Sequence, residues 1–194
     1  LENISDTSGK PFPRALAYWN RVFLAGLTER HDLAGAPARD LLQLADRHDN
    51  PSLRAMGLVA CGRVARWDGE TARARDLFQQ GLGAAEAVHN HLMVDIARQD
   101  LAQLAGVGGA GGADDHRAAL IALVPVARSH ILTGNVSQQL QTAVHIATHL
   151  AEIGHLLPAA TALVRLDQTP MSGAQGFSAE VHAVLGRLDE DDRA

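Results

Sequence analysis

Three polar side chains in the second half of the sequence have the types and spacing of metal ligands. His145 and His149 are four residues apart, so a helix would present both imidazoles on one face, and Glu152 follows close to that face. Imidazole nitrogens and carboxylate oxygens are donors that zinc accepts. A metal-dependent helical enzyme is therefore one hypothesis for this chain.

The spacing of His145, His149 and His155 also resembles the HExxHxxGxxH signature of metzincin proteases. Two positions depart from that signature. Ile146 occupies the place of the catalytic glutamate, and Glu152 replaces the glycine at which the chain bends toward its third ligand. We expect the helix to continue through this segment and predict no catalytic or metal-binding residue, with an adventitious metal site as the alternative.

Other potential catalytic motifs have simpler explanations. The Gly-x-Ser-x-Gly motif of serine hydrolases does not occur. The run from Gly106 to Gly112 lacks the lysine of a phosphate-binding loop, so it predicts a flexible connector. Asp114 and Asp115 beside His116 are best interpreted as a helix start, where carboxylates accept amide hydrogen bonds and interact favourably with the helix dipole. The sequence therefore predicts a protein that is not an enzyme and needs no cofactor.

Recognition chemistry is indicated at the end of one predicted helix. Trp67 lies beside Arg63 and Arg66, a combination suited to stacking and carboxylate binding. The alternative is that Trp67 packs under the turn while both arginines are solvated. In arrays of helix pairs, the first helix of each pair lines a concave face. The predicted partner or ligand groove consists of Asn20, Phe23, Arg30, Met56, Val59, Arg63, Arg66, Trp67, Gln99, Gln103, Gln141 and Thr148.

The composition indicates which elements must position these residues. Of the 194 residues, 46% are apolar but only 4% are aromatic, which favours Ala, Leu and Val packed helix on helix and hence an all-α fold.

The net charge of -5, without a basic stripe, argues against binding of nucleic acid. Cys61 is the single cysteine and is expected to be a small buried side chain in a cytoplasmic protein. No apolar run is long enough for a membrane helix.

One spacing of small and large residues occurs twice and predicts two pairs of closely packed helices. Small residues allow two backbones to approach, a turn glycine ends the first helix, and a large apolar residue of the second helix fills the space between them. The two patterns are Gly62-x2-Ala65-x3-Gly69-x4-Ala74-x3-Phe78-x2-Gly81 and Ala147-x2-Leu150-x3-Gly154-x4-Ala159-x3-Leu163-x2-Leu166.

The periodicity predicts an antiparallel helix-pair solenoid. Asn50-Pro51 and Asn135 are strong helix starts, and Pro125 is expected to kink or divide its helix. The chain begins with Leu1, which indicates an origin in a longer protein or removal of a tag. The predicted segments are an extended lead-in over 1–12, a repeat domain over 13–188 with pairs at about 13–49, 51–89, 91–133 and 136–167 and a capping helix over 178–188, and an acidic tail over 189–194.

The pattern from Gly62 to Gly81 resembles a tetratricopeptide repeat. It departs from that repeat at Ala65, where tyrosine is usual, at Gly81, where alanine is usual, and in lacking the closing proline. The segment from His145 to Leu166 and the helix after it resemble the C-terminal region of actinobacterial ATP-dependent LuxR-type (STAND) transcriptional regulators. The resemblance implies an interaction or sensor arm that controls an ATPase switch elsewhere in a longer chain.

Three functions follow as expectations. The leading one is a non-enzymatic regulatory module that binds protein, either a partner or another domain of its parent chain, in the cytoplasm of a bacterium. The second is a domain that binds a small inducer or a peptide in the concave groove. The third and weakest is the metal-dependent enzyme based on His145, His149 and Glu152. No binding to nucleic acid or membranes is expected.

Overall fold

The computed structural model describes residues 10–104, 112–167, 183–184 and 186–187, apart from the side chains of Ser137 and Asp167. This part of the chain is helical and contains no strand, which confirms the predicted all-α fold of consecutively packed helices. The helices are α1 (Pro11–Leu27), a 3₁₀ turn (His31–Leu33), α2 (Gly35–Arg47), α3 (Pro51–Trp67), α4 (Thr71–Ala87), α5 (His91–Gln103), α6 (Ala113–Thr133), α7 (Val136–Glu152) and α8 (Leu156–Asp167).

The chain divides into two compact units, Leu1–Leu104 and Ala105–Ala194. The boundary falls within the predicted third pair, so that α5 belongs to the first unit and α6 to the second. In the described part of the chain, no helix is both long and apolar enough to cross a membrane.

Asparagine side chains begin three of the helices. Asn50, Asn90 and Asn135 each accept a hydrogen bond from the backbone N–H three residues later, at 3.0, 3.2 and 3.3 Å. Such a cap satisfies one of the amide donors that the first turn of a helix leaves open. The predicted starts at Asn50-Pro51 and Asn135 are therefore confirmed.

The turns of the first unit recur at a constant interval. Each contains one residue with a left-handed backbone, a conformation that ends a helix and redirects the chain. These residues are Glu29, Asp49, Gly69 and His89, with φ of 55°, 44°, 79° and 53°. They are 20 residues apart, so a helix pair repeats every 40 residues. This period is longer than the roughly 34 residues of a tetratricopeptide repeat and falls within the range of about 40 to 47 for HEAT and armadillo repeats.

The core of the first unit is built around close helix crossings. A Cβ atom on Gly62 of α3 would lie 2.5 Å from the ring of Phe78 on α4, and one on Gly57 would lie 2.8 Å from the backbone of Leu42 on α2. Phe78 and Ala74 are fully buried. The predicted role of the spacing from Gly62 to Gly81 is thus confirmed: small residues allow the approach, and Phe78 fills the gap.

The second unit repeats this arrangement with Ala and Leu. Helix α7 packs on both α6 and α8, and Gly154 turns the chain between α7 and α8 with a φ of 90°. Ala147, Ala159 and Leu163 are buried at this contact, as the second pattern predicted. Helix α6 continues through Pro125 and is not divided there. Proline has no N–H, so the carbonyl of Ile121 loses its hydrogen bond within the helix. Because Pro125 and Ile121 are both exposed, water can take the place of that donor.

Several expectations fall largely on residues outside the described part. Helix α1 begins at Pro11, so the described end of the predicted lead-in is helical. Residues 1–9, residues 106–111 of the predicted connector over 106–112, and the acidic tail lie outside it, whereas Gly112 is described and precedes α6. Of the predicted cap over 178–188, residues 183–184 and 186–187 are described and helical, and Val184 is buried in the core of the second unit. Cys61 is half-buried, with Sγ 3.6 Å from the carbonyl oxygen of Ala38.

Candidate functional site

The residues predicted to line one concave groove have different environments in the structure. Met56, Val59, Arg63 and Gln99 are buried, whereas Asn20 and Arg30 are exposed. Phe23, Arg66, Trp67 and Gln103 are half-buried. Gln141 and Thr148 lie on α7 in the second unit, where the hydroxyl of Thr148 donates to the carbonyl of Val144 at 3.0 Å. The buried members are shielded from any partner in this conformation.

Arg63 and Arg66 converge on a carboxylate of their own chain. Arg63 Nε donates to Asp100 Oδ2 at 2.8 Å, and Arg66 Nη1 is 3.6 Å from Asp100 Oδ1. The guanidinium of Arg63 also lies over the ring of Trp19, 5.2 Å from its centroid. Carboxylate recognition by these arginines was expected, but it is internal, because Asp100 on α5 supplies the carboxylate.

The sequence did not indicate that Asp100 is a buried partner of the arginines. It lies beside Leu101 on an apolar helix, and acidic residues in such helices are usually solvated. Its side chain is only 1% exposed. Burial lowers the pKa of the Arg66 guanidinium below its ordinary value, while the charge of Asp100 acts in the opposite direction. The two arginines and Asp100 therefore form a desolvated ionic cluster linking α3 to α5.

Trp67 packs beneath the turn between α1 and α2. Its ring stacks on His31 with a centroid distance of 4.6 Å and an interplanar angle of 1°. A Cβ atom on Gly26 would lie 2.8 Å from the same ring, so glycine is needed at this contact. Trp67 therefore packs against a turn, but it is the turn between α1 and α2, and neither arginine is solvated as the alternative interpretation supposed.

A groove of about 540 Å³ lies between α1 and α2, on a surface that the sequence analysis did not single out. Its apolar wall includes Leu24 and Leu33, which are 53% and 55% exposed. Polar groups lie beside this wall. The groove is lined by Arg21, Leu24, Ala25, Thr28, Asp32, Leu33, Ala36, Pro37 and Asp40. Helical periodicity alone gives no sign of it, since the groove depends on how the 3₁₀ turn lies against two helices.

Arg30, one of the predicted site residues, acts at the rim of this groove. It donates two hydrogen bonds to Asp32, at 3.1 and 3.2 Å. The hydrogen bond from Arg30 lowers the pKa of the Asp32 carboxyl below its usual range. Because both side chains are exposed, this pair orients the rim more than it stabilises the fold.

In the second unit, His149 contacts another histidine and does not join His145 and Glu152 in a metal site. His149 Nδ1 lies 2.9 Å from His116 Nδ1, and both rings are buried between α6 and α7. Glu152 pairs instead with Arg187. Within the described residues, no three His, Cys, Asp or Glu side chains are grouped so that they could hold a metal.

A second buried histidine crosses the same interface. His130 Nδ1 lies 3.0 Å from the hydroxyl of Thr142. At the start of α6, Asp115 accepts a hydrogen bond from the N–H of Gly112 at 3.1 Å. The interpretation of Asp114-Asp115 as a helix start is therefore confirmed, and these polar groups have structural partners.

The sequence matches no protein-family model, and no curated protein aligns with it significantly. No family is therefore assigned.

Proposed function

We propose that this chain is a non-enzymatic helical-repeat module and that it binds a segment of a protein partner in the groove between α1 and α2. The single observation that carries this proposal is the exposure of Leu24 and Leu33 on opposite elements of one concave surface. Apolar side chains gathered in an open groove with polar groups beside them are typical of docking sites.

The shape of the groove favours a segment of protein over a deep-bound ligand. Leu24 and Leu33 remain more than half exposed, so a ligand would lie along the surface. Leu24 on α1 and Pro37 on α2 are presented by rigid elements, which limits the entropy lost on binding. An extended or helical segment inserting one or two apolar side chains fits this arrangement.

The buried polar clusters support a role other than catalysis. Arg63 is bonded to Asp100, His116 to His149 and His130 to Thr142. Such contacts serve packing and specificity of the fold, because each of these side chains has a polar partner within the chain. A catalytic acid, base or nucleophile would instead face a substrate cleft.

The test uses a phage-displayed library of random peptides selected against the whole chain. We expect Leu24→Asp and Leu33→Asp each to weaken binding of a selected peptide by at least about tenfold, since a charge on the apolar wall must be desolvated. Isothermal titration calorimetry measures the affinities, and circular dichroism checks folding. Leu92→Asp is the matched control, because Leu92 is 49% exposed on α5 and lies outside the groove. Equal affinity for all four proteins would contradict the proposal.

A small inducer is the second candidate occupant. The volume of about 540 Å³ lies within the range of roughly 300 to 1,000 Å³ found for small-ligand sites. A thermal-shift screen of metabolites, nucleotides and metal ions distinguishes the two candidates. One compound giving a large, saturable shift that Leu24→Asp removes would favour the inducer over the peptide.

The resemblance of His145 to Leu166 to LuxR-type regulators supports a further part of the proposal, a place in a larger cytoplasmic regulator of transcription in a bacterium. The partner segment would then belong to the parent chain. Sequencing the reading frame around this segment tests the idea. An encoded nucleotide-binding domain supports it, and an uninterrupted frame without one counts against it.

A further inference from the structure

One carboxylate in the groove has no partner within the part of the chain that the structure describes. Asp40 lies on α2, half-buried and next to the apolar wall. Its side chain forms no hydrogen bond or ion pair with any residue that the structure describes, and it is not among the residues that have further contacts of their own. A partly desolvated carboxylate gains most from a cation that arrives together with an apolar group.

The other charges of the groove are already engaged. Asp32 is held by Arg30 at 3.1 Å, so that the rim pair carries no net charge. Arg21 takes part in an interaction with another residue. Of the two carboxylates that line the groove, Asp40 is therefore the one without a partner among the described residues.

We infer that the partner segment carries a lysine or arginine next to its apolar anchor, and that this cation pairs with Asp40 while the anchor packs on Leu24 and Leu33. The inference rests on the proposed function and specifies which segments the groove accepts. An uncharged apolar segment would leave Asp40 desolvated without compensation, and an acidic segment would be repelled. Asp40 thus selects among partners that the apolar wall alone would bind equally.

The first test compares peptide selections against the wild-type chain and Asp40→Lys. Peptides recovered on the wild-type chain are expected to be enriched in Lys or Arg beside an apolar residue, and those recovered on Asp40→Lys in Asp or Glu. The same charge composition from both selections overturns the inference. Recovery of uncharged apolar peptides from both also overturns it, while leaving the groove itself as the binding site.

The second test is a double-mutant cycle with one selected peptide and its analogue in which the basic residue is replaced by methionine. Asp40→Asn is expected to weaken the basic peptide about three- to fivefold and to leave the analogue unchanged. The weakening should disappear at high salt.

Asp76→Asn is the matched control, because Asp76 is exposed on α4 away from the groove and its loss changes net charge equally. Equal weakening by both variants, or none by Asp40→Asn, overturns the inference. Binding to Leu24→Asp tests the proposed function separately, because loss of binding supports that function and unchanged binding contradicts it.

Discussion

At the scale of single residues, Asp100 is a buried charge in the interior of the first unit. It is a carboxylate at 1% exposure that faces two arginines on another helix. Placing three charges in an interior costs desolvation energy, which only close pairing can offset. Close pairing of Asp100 with the two arginines therefore offsets this cost where α3 meets α5.

Asp100→Asn is expected to lower the free energy of unfolding by about 3 kcal/mol or more, because Arg63 and Arg66 would then be buried without a counter-charge. Urea denaturation followed by circular dichroism measures the change. Asp76→Asn, at an exposed position, should change it by less than about 0.5 kcal/mol. Near-equal stability of the two variants would contradict the role of Asp100 as the counter-charge of Arg63 and Arg66.

At the scale of helices, packing depends on crossings at which a glycine lets two helices approach closely. Gly57 faces the backbone of Leu42, and Gly62 faces the ring of Phe78. These contacts differ in how they respond to a larger residue, because a ring can move slightly whereas a backbone moves only with its whole helix. Gly57 is therefore the stricter of the two positions.

Gly57→Ala is expected to destabilise the protein by about 1 to 3 kcal/mol, since its Cβ would lie 2.8 Å from Leu42 Cα and force α2 from α3. Gly83→Ala is the matched control within a helix, because a Cβ there meets nothing within 4 Å. It should stabilise by about 0.5 to 1 kcal/mol through helix propensity. Thermal unfolding of both variants measures the difference, and a stabilising Gly57→Ala would show that the helices do not cross this closely.

The charge of the whole molecule limits its partners. A net charge of -5, with some arginines buried or paired with acids, disfavours attraction to phosphates. We expect no binding of mixed-sequence duplex DNA at about 0.15 M salt, as measured by fluorescence anisotropy. Micromolar binding that weakens steeply with salt would contradict this expectation and would indicate a basic surface.

The helices of the first unit also repeat with a fixed length. Turn residues from Glu29 to His89 recur every 20 residues, so each helix and its turn form one step of the first unit. The resemblance to tetratricopeptide repeats in larger regulators stays a prediction, and any family assignment must accommodate the 40-residue period of the helix pairs.

The sequence by itself determined the helical class, most helix starts and the close crossings, because these depend on local rules: asparagine caps, turn residues and the spacing of small side chains. Gly62 with Phe78 and Asn50 with Pro51 could be identified from residue type and offset alone. Glu29, Asp49 and His89 as left-handed turn residues could not, since their side chains do not require that conformation.

Only the tertiary structure decided which polar residues are interior and where a partner can dock. Arg63 and Arg66 were expected on an open groove, but they face Asp100, and His149 faces His116 rather than a metal. The groove with Leu24, Leu33 and Asp40 was not foreseen. The reason is physical: burial and pairing depend on residues far apart in the chain, and helical periodicity indicates which face of a helix is apolar but not what lies opposite it.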